Sequence, residues 1–241
     1  MRNVDTCRLC RLDQPLCKSH IMPECVYRYD DSHRLAVVTS FREKVSRRET
    51  GIWERLLCAE CESRMNELET YFARVWSGPK ALARQVAFNG RLHVLPGLDY
   101  TVFKLFHLSI LWRAAVSRRE EFQSVRLGPH EEPLRDMLLS GQPGDPNHYA
   151  VQAFRLANKE GQEVCDAMVT PPAKNRLEGR TAYKVTFRGC LWIYHVSPPP
   201  YPEMAKFFFG RDGVLRMPTI DINECSNFTN VYASRKMKGW L

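Results

Sequence analysis

Two Cys-x-x-Cys pairs in the first quarter of the chain constrain its fold more than any other feature. The pairs are Cys7/Cys10 and Cys58/Cys61. The turn inside such a pair lets two thiolates reach one ion, and two pairs supply the four ligands of a structural zinc site. Four protein ligands leave no position for a substrate. We therefore expect this Zn²⁺ to stabilise the fold and not to take part in chemistry.

The residues around these pairs predict a zinc-bound module over residues 1–78. A strand is predicted at Leu16–Ile21, just before a proline, and a second one at Trp53–Leu57, leading into the second pair. Apolar residues at helical spacing then predict a helix over Ala59–Trp76, ended by the Ser-Gly-Pro that follows. Chemistry in this module would come from His20, at the end of the first strand.

The remaining residues, 79–241, are predicted to form an accessory α+β region. A capping aspartate opens a long helix over about 99–122, which is apolar around most of its circumference. From about residue 149 the pattern alternates and becomes β-rich. Hairpin turns are predicted at Arg188-Gly189 and at Gly210–Gly213. The fold class is therefore α+β: a small zinc module, then a helical and finally a β-rich region.

The net charge and the hydropathy of the sequence indicate which classes of binding partner to expect. The 241 residues contain 35 Lys and Arg against 27 Asp and Glu, which gives a net charge of +8. A basic balance favours polyanions such as nucleic acid. No apolar run is long enough for a bilayer span, and the first residues lack the apolar core of a signal peptide. We expect a cytoplasmic protein without a membrane partner.

The order of the motifs resembles the zinc-bearing HNH endonucleases of the ββα-metal, or His-Me finger, superfamily. A Cys-x-x-Cys pair is followed by a strand ending in Ser19-His20-Ile21-Met22-Pro23, and Leu56-Leu57-Cys58-Ala59-Glu60-Cys61-Glu62 opens a helix. A bacterial group of HNH-like proteins with Ser-His-Ile-x-Pro and Leu-Leu-Cys-x-x-Cys-Glu is more similar still. The resemblance covers roughly the first third of the chain and implies a ββα, treble-clef-like module.

The resemblance implies that His20 is a general base. Its imidazole, with an ordinary pKa of about 6.5, would take a proton from the water that attacks a phosphodiester. A catalytic Mg²⁺ or Mn²⁺ would stabilise the developing charge. By position its ligands are Glu62 and Ser19, with Asn66 one turn along the helix. The superfamily usually has Asp or His at the position of Ser19, and His or Asn at that of Glu62.

The sequence is therefore compatible with two alternative functions. The first is a divalent-metal-dependent nuclease with DNA as the expected substrate. The resemblance links such nucleases to defence against phage. Its phosphate contacts would come from basic residues, namely Lys18, Arg42, Lys44, Arg47 and Arg48. The second is a non-catalytic zinc module that binds nucleic acid, a protein partner or a second copy of itself. In that case His20 is structural, and Glu62 only complements the helix dipole. A redox dithiol is disfavoured, because two pairs suit zinc and no thioredoxin-like pattern surrounds them.

Overall fold

Helices and sheets are both present, so the α+β prediction is confirmed. The computed structural model of the chain describes residues 4–27, 51–77, 80–89, 92–157, 168–177, 179–198 and 202–222, together with the backbone of 36–38 and 45–47. Among these residues, no helix is long and apolar enough to cross a bilayer.

The elements are as follows. The helices are α1 (Glu24–Tyr27), α2 (Ala59–Trp76), α3 (Tyr100–Val116) and α4 (Glu131–Ser140). The strands are β1 (Val4–Thr6), β2 (Asp13–His20), β3 (Ala36–Val38), β4 (Val45–Arg47), β5 (Trp53–Cys58), β6 (Ala87–Asn89), β7 (Leu92–Leu95), β8 (Ala150–Ala157), β9 (Thr170–Leu177), β10 (Arg180–Phe187), β11 (Cys190–His195) and β12 (Leu215–Asp221).

The N-terminal sheet has three strands in the order β1-β2-β5, and β5 runs directly into α2. The helix has the predicted bounds. The strand β2 begins earlier than predicted and ends at His20, which pairs with Trp53 across the sheet. The β2–β5 register shifts between Leu16 and Lys18. Such a bulge bends a strand and re-aims the side chains beyond it.

The larger sheet has seven strands in the order β6-β7-β12-β8-β11-β10-β9, antiparallel except where β12 lies parallel to β8. The predicted hairpin between β10 and β11 is confirmed. Its two turn residues, Arg188 and Gly189, have φ of 54° and 63°. Positive φ at both central positions is the backbone of a tight hairpin turn whose twist matches its strands.

Two predictions about this region are wrong. The segment Gly210–Gly213 is not a hairpin turn, because β12 pairs with β7 and β8 instead of with the residues before the glycines. Gly213 is needed for close packing: a Cβ there would lie 2.3 Å from the Leu98 carbonyl oxygen. The long helix ends at Val116, not near residue 122. Ser117 leaves the helix in an extended conformation, and its hydroxyl donates to Glu54.

One continuous core joins both parts of the chain, with buried members from Cys7 to Met217. Phe72 of α2 stacks on Phe106 of α3 with ring centroids 4.0 Å apart. His107 is fully buried between them and the sheet, and its Nδ1 lies 3.1 Å from the Tyr194 hydroxyl. Burial lowers the pKa of His107 well below its ordinary value, so this histidine is a neutral core residue.

Two arginines connect the later elements to the zinc module. Arg135 of α4 donates from Nη1 to the carbonyl oxygen of Leu9 at 2.8 Å. Arg188, in the β10–β11 turn, donates from Nε and Nη2 to the carbonyl oxygen of Cys25 at 3.1 and 2.5 Å. The division of the chain at residue 78 stays a prediction about independent folding units, and these contacts show that the two parts are packed together.

We expect Phe72→Ala to be strongly destabilising, because it removes the aromatic centre of the α2–α3 contact. The loss in free energy of unfolding should be about 3–5 kcal/mol. Phe88→Ala is the matched control, since Phe88 is 58% exposed, and it should change stability by less than about 0.5 kcal/mol. Urea denaturation followed by circular dichroism measures both. Equal losses in the two variants would contradict the packing described above.

Candidate functional site

The four cysteines of the two pairs meet at one point. Their sulfur atoms all lie within 4.8 Å of one another, and Cys10 Sγ is 3.8 Å from Cys58 Sγ. Four sulfurs about 2.3 Å from one Zn²⁺ in a tetrahedron are about 3.8 Å apart. The separation is far too long for a disulfide, whose sulfurs are about 2.05 Å apart. The cluster therefore has the ligand type, number and spacing of a structural zinc site.

The electrostatics of the cluster favour a cation. The backbone N–H of Cys58 donates to Cys7 Sγ at 3.3 Å. Burial opposes ionisation of the Cys7 thiol, yet backbone N–H groups from the two turns together lower its pKa. Burial, and then the neighbouring thiols, raise the pKa values of Cys10 and Cys61. Crowded thiolates repel one another, and a divalent ion removes that repulsion by binding all four.

His20 occupies the last position of β2 and is half-buried. Gly51 lies against its ring: a Cβ on that glycine would be 3.0 Å from His20 Cδ2 and 3.1 Å from the ring of Tyr27. No described residue hydrogen-bonds to either ring nitrogen of His20. Among the described residues, the His20 ring is therefore positioned by its backbone and by packing.

Ser19 and Glu62 are in contact although 43 residues separate them. The buried Ser19 hydroxyl donates to Glu62 Oε2 at 2.5 Å. Burial raises the pKa of the Glu62 carboxyl, while the Ser19 hydrogen bond and the nearby charges of Arg113 and His20 act in the opposite direction. The two residues that the resemblance assigns as ligands of a catalytic metal are thus in contact with each other beside His20.

Arg113 of α3 fixes the backbone of His20. It is completely buried, and its Nη1 lies 2.7 Å from both the His20 carbonyl oxygen and Glu69 Oε1. Its remaining donors bind Ser109: Nε donates to the carbonyl oxygen at 3.3 Å and Nη2 to the hydroxyl at 3.1 Å. Each of the three nitrogens of this guanidinium therefore donates at least one hydrogen bond. The contact joins α3, α2 and the end of β2 at the candidate site.

The other predicted site residues that the structure describes, apart from the cysteines, are not part of the Ser19–Glu62 contact. Asn66 is exposed on α2, and Lys18 is exposed on β2. Of the remaining basic residues, only the backbone of Arg47 is described, within β4. The predicted phosphate contacts of Arg42, Lys44 and Arg48 lie outside the described residues. Among the described residues, the four cysteines are the one group of three or more His, Cys, Asp or Glu that could hold an ion.

Sequence reasoning missed three residues of this site, Arg113, Gly51 and Trp53, and it left Glu69 as either an assistant to Glu62 or a surface residue. Arg113 is the sole charged residue in the second half of an otherwise apolar helix, and a charge on a buried helix is the signal that could have identified it. Glu69 lies seven residues after Glu62 on α2, so helical spacing places both on one side. No signal marked Gly51 or Trp53, whose roles depend on the pairing of β5 with β2.

Comparison with known proteins assigns the chain to no family. It matches no protein-family model, and neither a curated protein nor a solved structure matches it significantly. The evidence for its function is therefore the geometry of the site.

We expect the wild-type protein to bind about one zinc ion per chain, measured by elemental analysis. Cys58→Ser should lose the metal and much of the folded state, because zinc binding by such sites contributes roughly 10 kcal/mol or more to folding. Cys17→Ser is the control, since Cys17 is a free thiol outside the cluster, and it should retain both metal and fold. A folded Cys58→Ser protein with full zinc content would show that the ligand set is wrong.

We expect Arg113→Met to destabilise the protein by about 3–5 kcal/mol, because it leaves the Glu69 carboxylate without its buried partner. Chemical denaturation measures the change. Arg113→Met/Glu69→Gln should be more stable than the single variant, since the second change removes the unpaired charge. A loss below about 1 kcal/mol in the single variant would contradict a buried ion pair.

Proposed function

We propose that the chain is a divalent-metal-dependent nuclease of HNH type. In this proposal His20 is the general base that activates water for attack on a phosphodiester of nucleic acid. The observation that carries it is His20 itself: it ends β2 with both ring nitrogens unengaged by described residues, beside the Ser19–Glu62 pair. The basic balance of the chain supports a polyanionic substrate.

The order of elements also supports the proposal. The antiparallel pair β2–β5 leads directly into α2, and the zinc cysteines lie before β2 and at the β5–α2 junction. That is the arrangement implied by a ββα-metal module built on a treble-clef-like zinc site. The Arg113 contact adds a fixed backbone at His20, so the imidazole is presented from a rigid strand end.

The catalytic cation would be Mg²⁺ or Mn²⁺, held by Glu62. Mg²⁺ is commonly bound by one or two carboxylates, several waters and the substrate phosphate, so one protein carboxylate is chemically adequate. When bound, the cation would neutralise charge on the phosphate and the leaving oxygen. Ser19 orients the Glu62 carboxylate through its hydroxyl, and Asn66 is one turn away on the same helix.

Two observations favour the alternative, a non-catalytic zinc module that binds nucleic acid or a protein. The Ser19 hydroxyl already occupies one oxygen of Glu62, and burial raises the pKa of this carboxyl. Both facts suit a structural hydrogen bond between β2 and α2. In this reading His20 stabilises the strand end and has no role in chemistry.

We expect purified protein to cleave plasmid or single-stranded circular DNA in the presence of Mg²⁺ or Mn²⁺. His20→Ala should reduce the rate about 100- to 10,000-fold, the usual contribution of a general base. Gel electrophoresis with each metal measures the cleavage. His130→Ala is the matched control: its ring binds the Tyr149 hydroxyl and it should leave the rate unchanged.

Glu62→Gln separates the two functions further. Glutamine keeps an oxygen for the Ser19 hydrogen bond but removes the negative charge, so a nuclease should need more Mg²⁺ for the same rate. Equal cleavage by wild type and His20→Ala, or no cleavage with either metal, would exclude the nuclease and favour the binding module.

A further inference from the structure

The sheet face that carries His20 also carries an exposed tryptophan. Trp53 is the direct cross-strand partner of His20. Partners in an antiparallel pair project from the same face, with Cβ atoms about 5 Å apart. Trp53 is 41% exposed, whereas Trp112 and Trp192 are fully buried. An accessible indole therefore lies immediately beside the candidate general base.

Lys18 lies on the same face and contacts this indole. Its Nζ is 4.1 Å from the Trp53 ring centroid. Lys18 and His20 are two positions apart on β2, so their side chains project to the same side. Arg55 is the cross-strand partner of Lys18 and completes the row. Its Nη1 donates to the Leu16 carbonyl oxygen at 2.9 Å, which holds the guanidinium on the sheet.

No acidic residue of β2 or β5 offsets these charges. Glu54 alternates to the opposite face, where its carboxylate accepts hydrogen bonds from the Ser117 hydroxyl and the Arg118 backbone N–H. Asp13 is at the far end of β2 and accepts a hydrogen bond from Thr6. A lysine, an arginine and an exposed tryptophan together are the combination with which proteins bind single-stranded nucleic acid.

We propose that Trp53 is a stacking platform for an unpaired nucleobase and that Lys18 binds the phosphate next to that base. The contact between Lys18 and the indole is weak at an exposed site, and stacking of a base on an aromatic ring is stronger. A nucleotide offers both a base for the ring and a phosphate for the ammonium. It can therefore replace the Lys18–Trp53 contact with two better ones.

The platform favours single strands over duplex. A paired base is stacked on both sides by its neighbours and cannot cover the indole, whereas an unpaired base of DNA or RNA can. A base on Trp53 places its own backbone beside His20, the cross-strand neighbour. This inference rests on the proposed nuclease function and narrows its substrate class to single-stranded nucleic acid.

Fluorescence anisotropy tests the platform with labelled oligo(dT), oligo(U) and a hairpin duplex of equal length, without added Mg²⁺ or Mn²⁺. The wild-type protein should bind the single strands more tightly than the duplex. Trp53→Ala should weaken single-strand binding about tenfold, and Trp53→Phe less, because phenylalanine keeps a stacking face. Lys18→Ala should reduce the dependence of binding on salt concentration, since one phosphate contact is lost.

Phe88→Ala is the matched control for removal of an exposed aromatic ring. Phe88 is 58% exposed on β6, where its ring lies 4.6 Å from that of His93, and this variant should bind like wild type. Thermal melts establish that each variant is folded. Three results would overturn the proposal: wild-type affinity in Trp53→Ala, an equal loss of duplex binding in that variant, or no binding of any probe by the wild type.

His20→Ala keeps this inference separate from the nuclease proposal. It should bind single strands like wild type while losing cleavage, because the imidazole acts on water and the platform acts on the base. Normal cleavage by His20→Ala would exclude the general base and leave the Trp53 result intact. Normal binding by Trp53→Ala together with inactive His20→Ala would exclude the platform and leave the nuclease.

Discussion

The convergence of four cysteine sulfurs is the constraint on which the candidate site depends. Two of them precede β2, and the other two lie at the junction of β5 and α2. Once the sulfurs share one point, β2 must lie beside the start of α2. The Ser19 hydroxyl then donates a hydrogen bond to Glu62, and His20 lies next to Ser19 at the end of β2. The candidate site is positioned by a cysteine cluster that has the ligand set of a structural zinc site.

The second region of the chain contributes directly to this site. Arg113 belongs to α3, well after the zinc module in sequence, and yet it supplies the hydrogen bond to the carbonyl group of His20. A fully buried guanidinium is tolerated because acceptors from three elements satisfy it. The helical region is therefore part of the structure that holds the backbone of His20, and not merely an attachment to it.

The parts of this structure that were predictable from sequence depend on local signals. Cysteine spacing identified the cluster, periodicity gave α2 its observed bounds, and the turn at Arg188-Gly189 marked a hairpin. Partners distant in sequence were not predictable. The pairing of Trp53 with His20 depends on a register that a bulge near Cys17 shifts. Gly210–Gly213 does form a turn, in which the Gly213 N–H donates to the Gly210 carbonyl oxygen at 3.1 Å, but the strand after it pairs with β7 and β8, which no local signal indicated.

Three of the contacts that attach the zinc module to the rest of the chain share one property. Arg113, Arg135 and Arg188 all donate to main-chain carbonyl oxygens, those of His20, Leu9 and Cys25. A carbonyl group is the same whichever side chain its residue carries. These three contacts therefore depend on the path of the backbone and not on the residue types at Leu9, His20 and Cys25. Residue type matters instead at Glu54 and Glu69, whose carboxylates accept hydrogen bonds from Ser117 and Arg113. Substitutions in the module should therefore be tolerated at positions that contribute only a carbonyl group and not at these two glutamates.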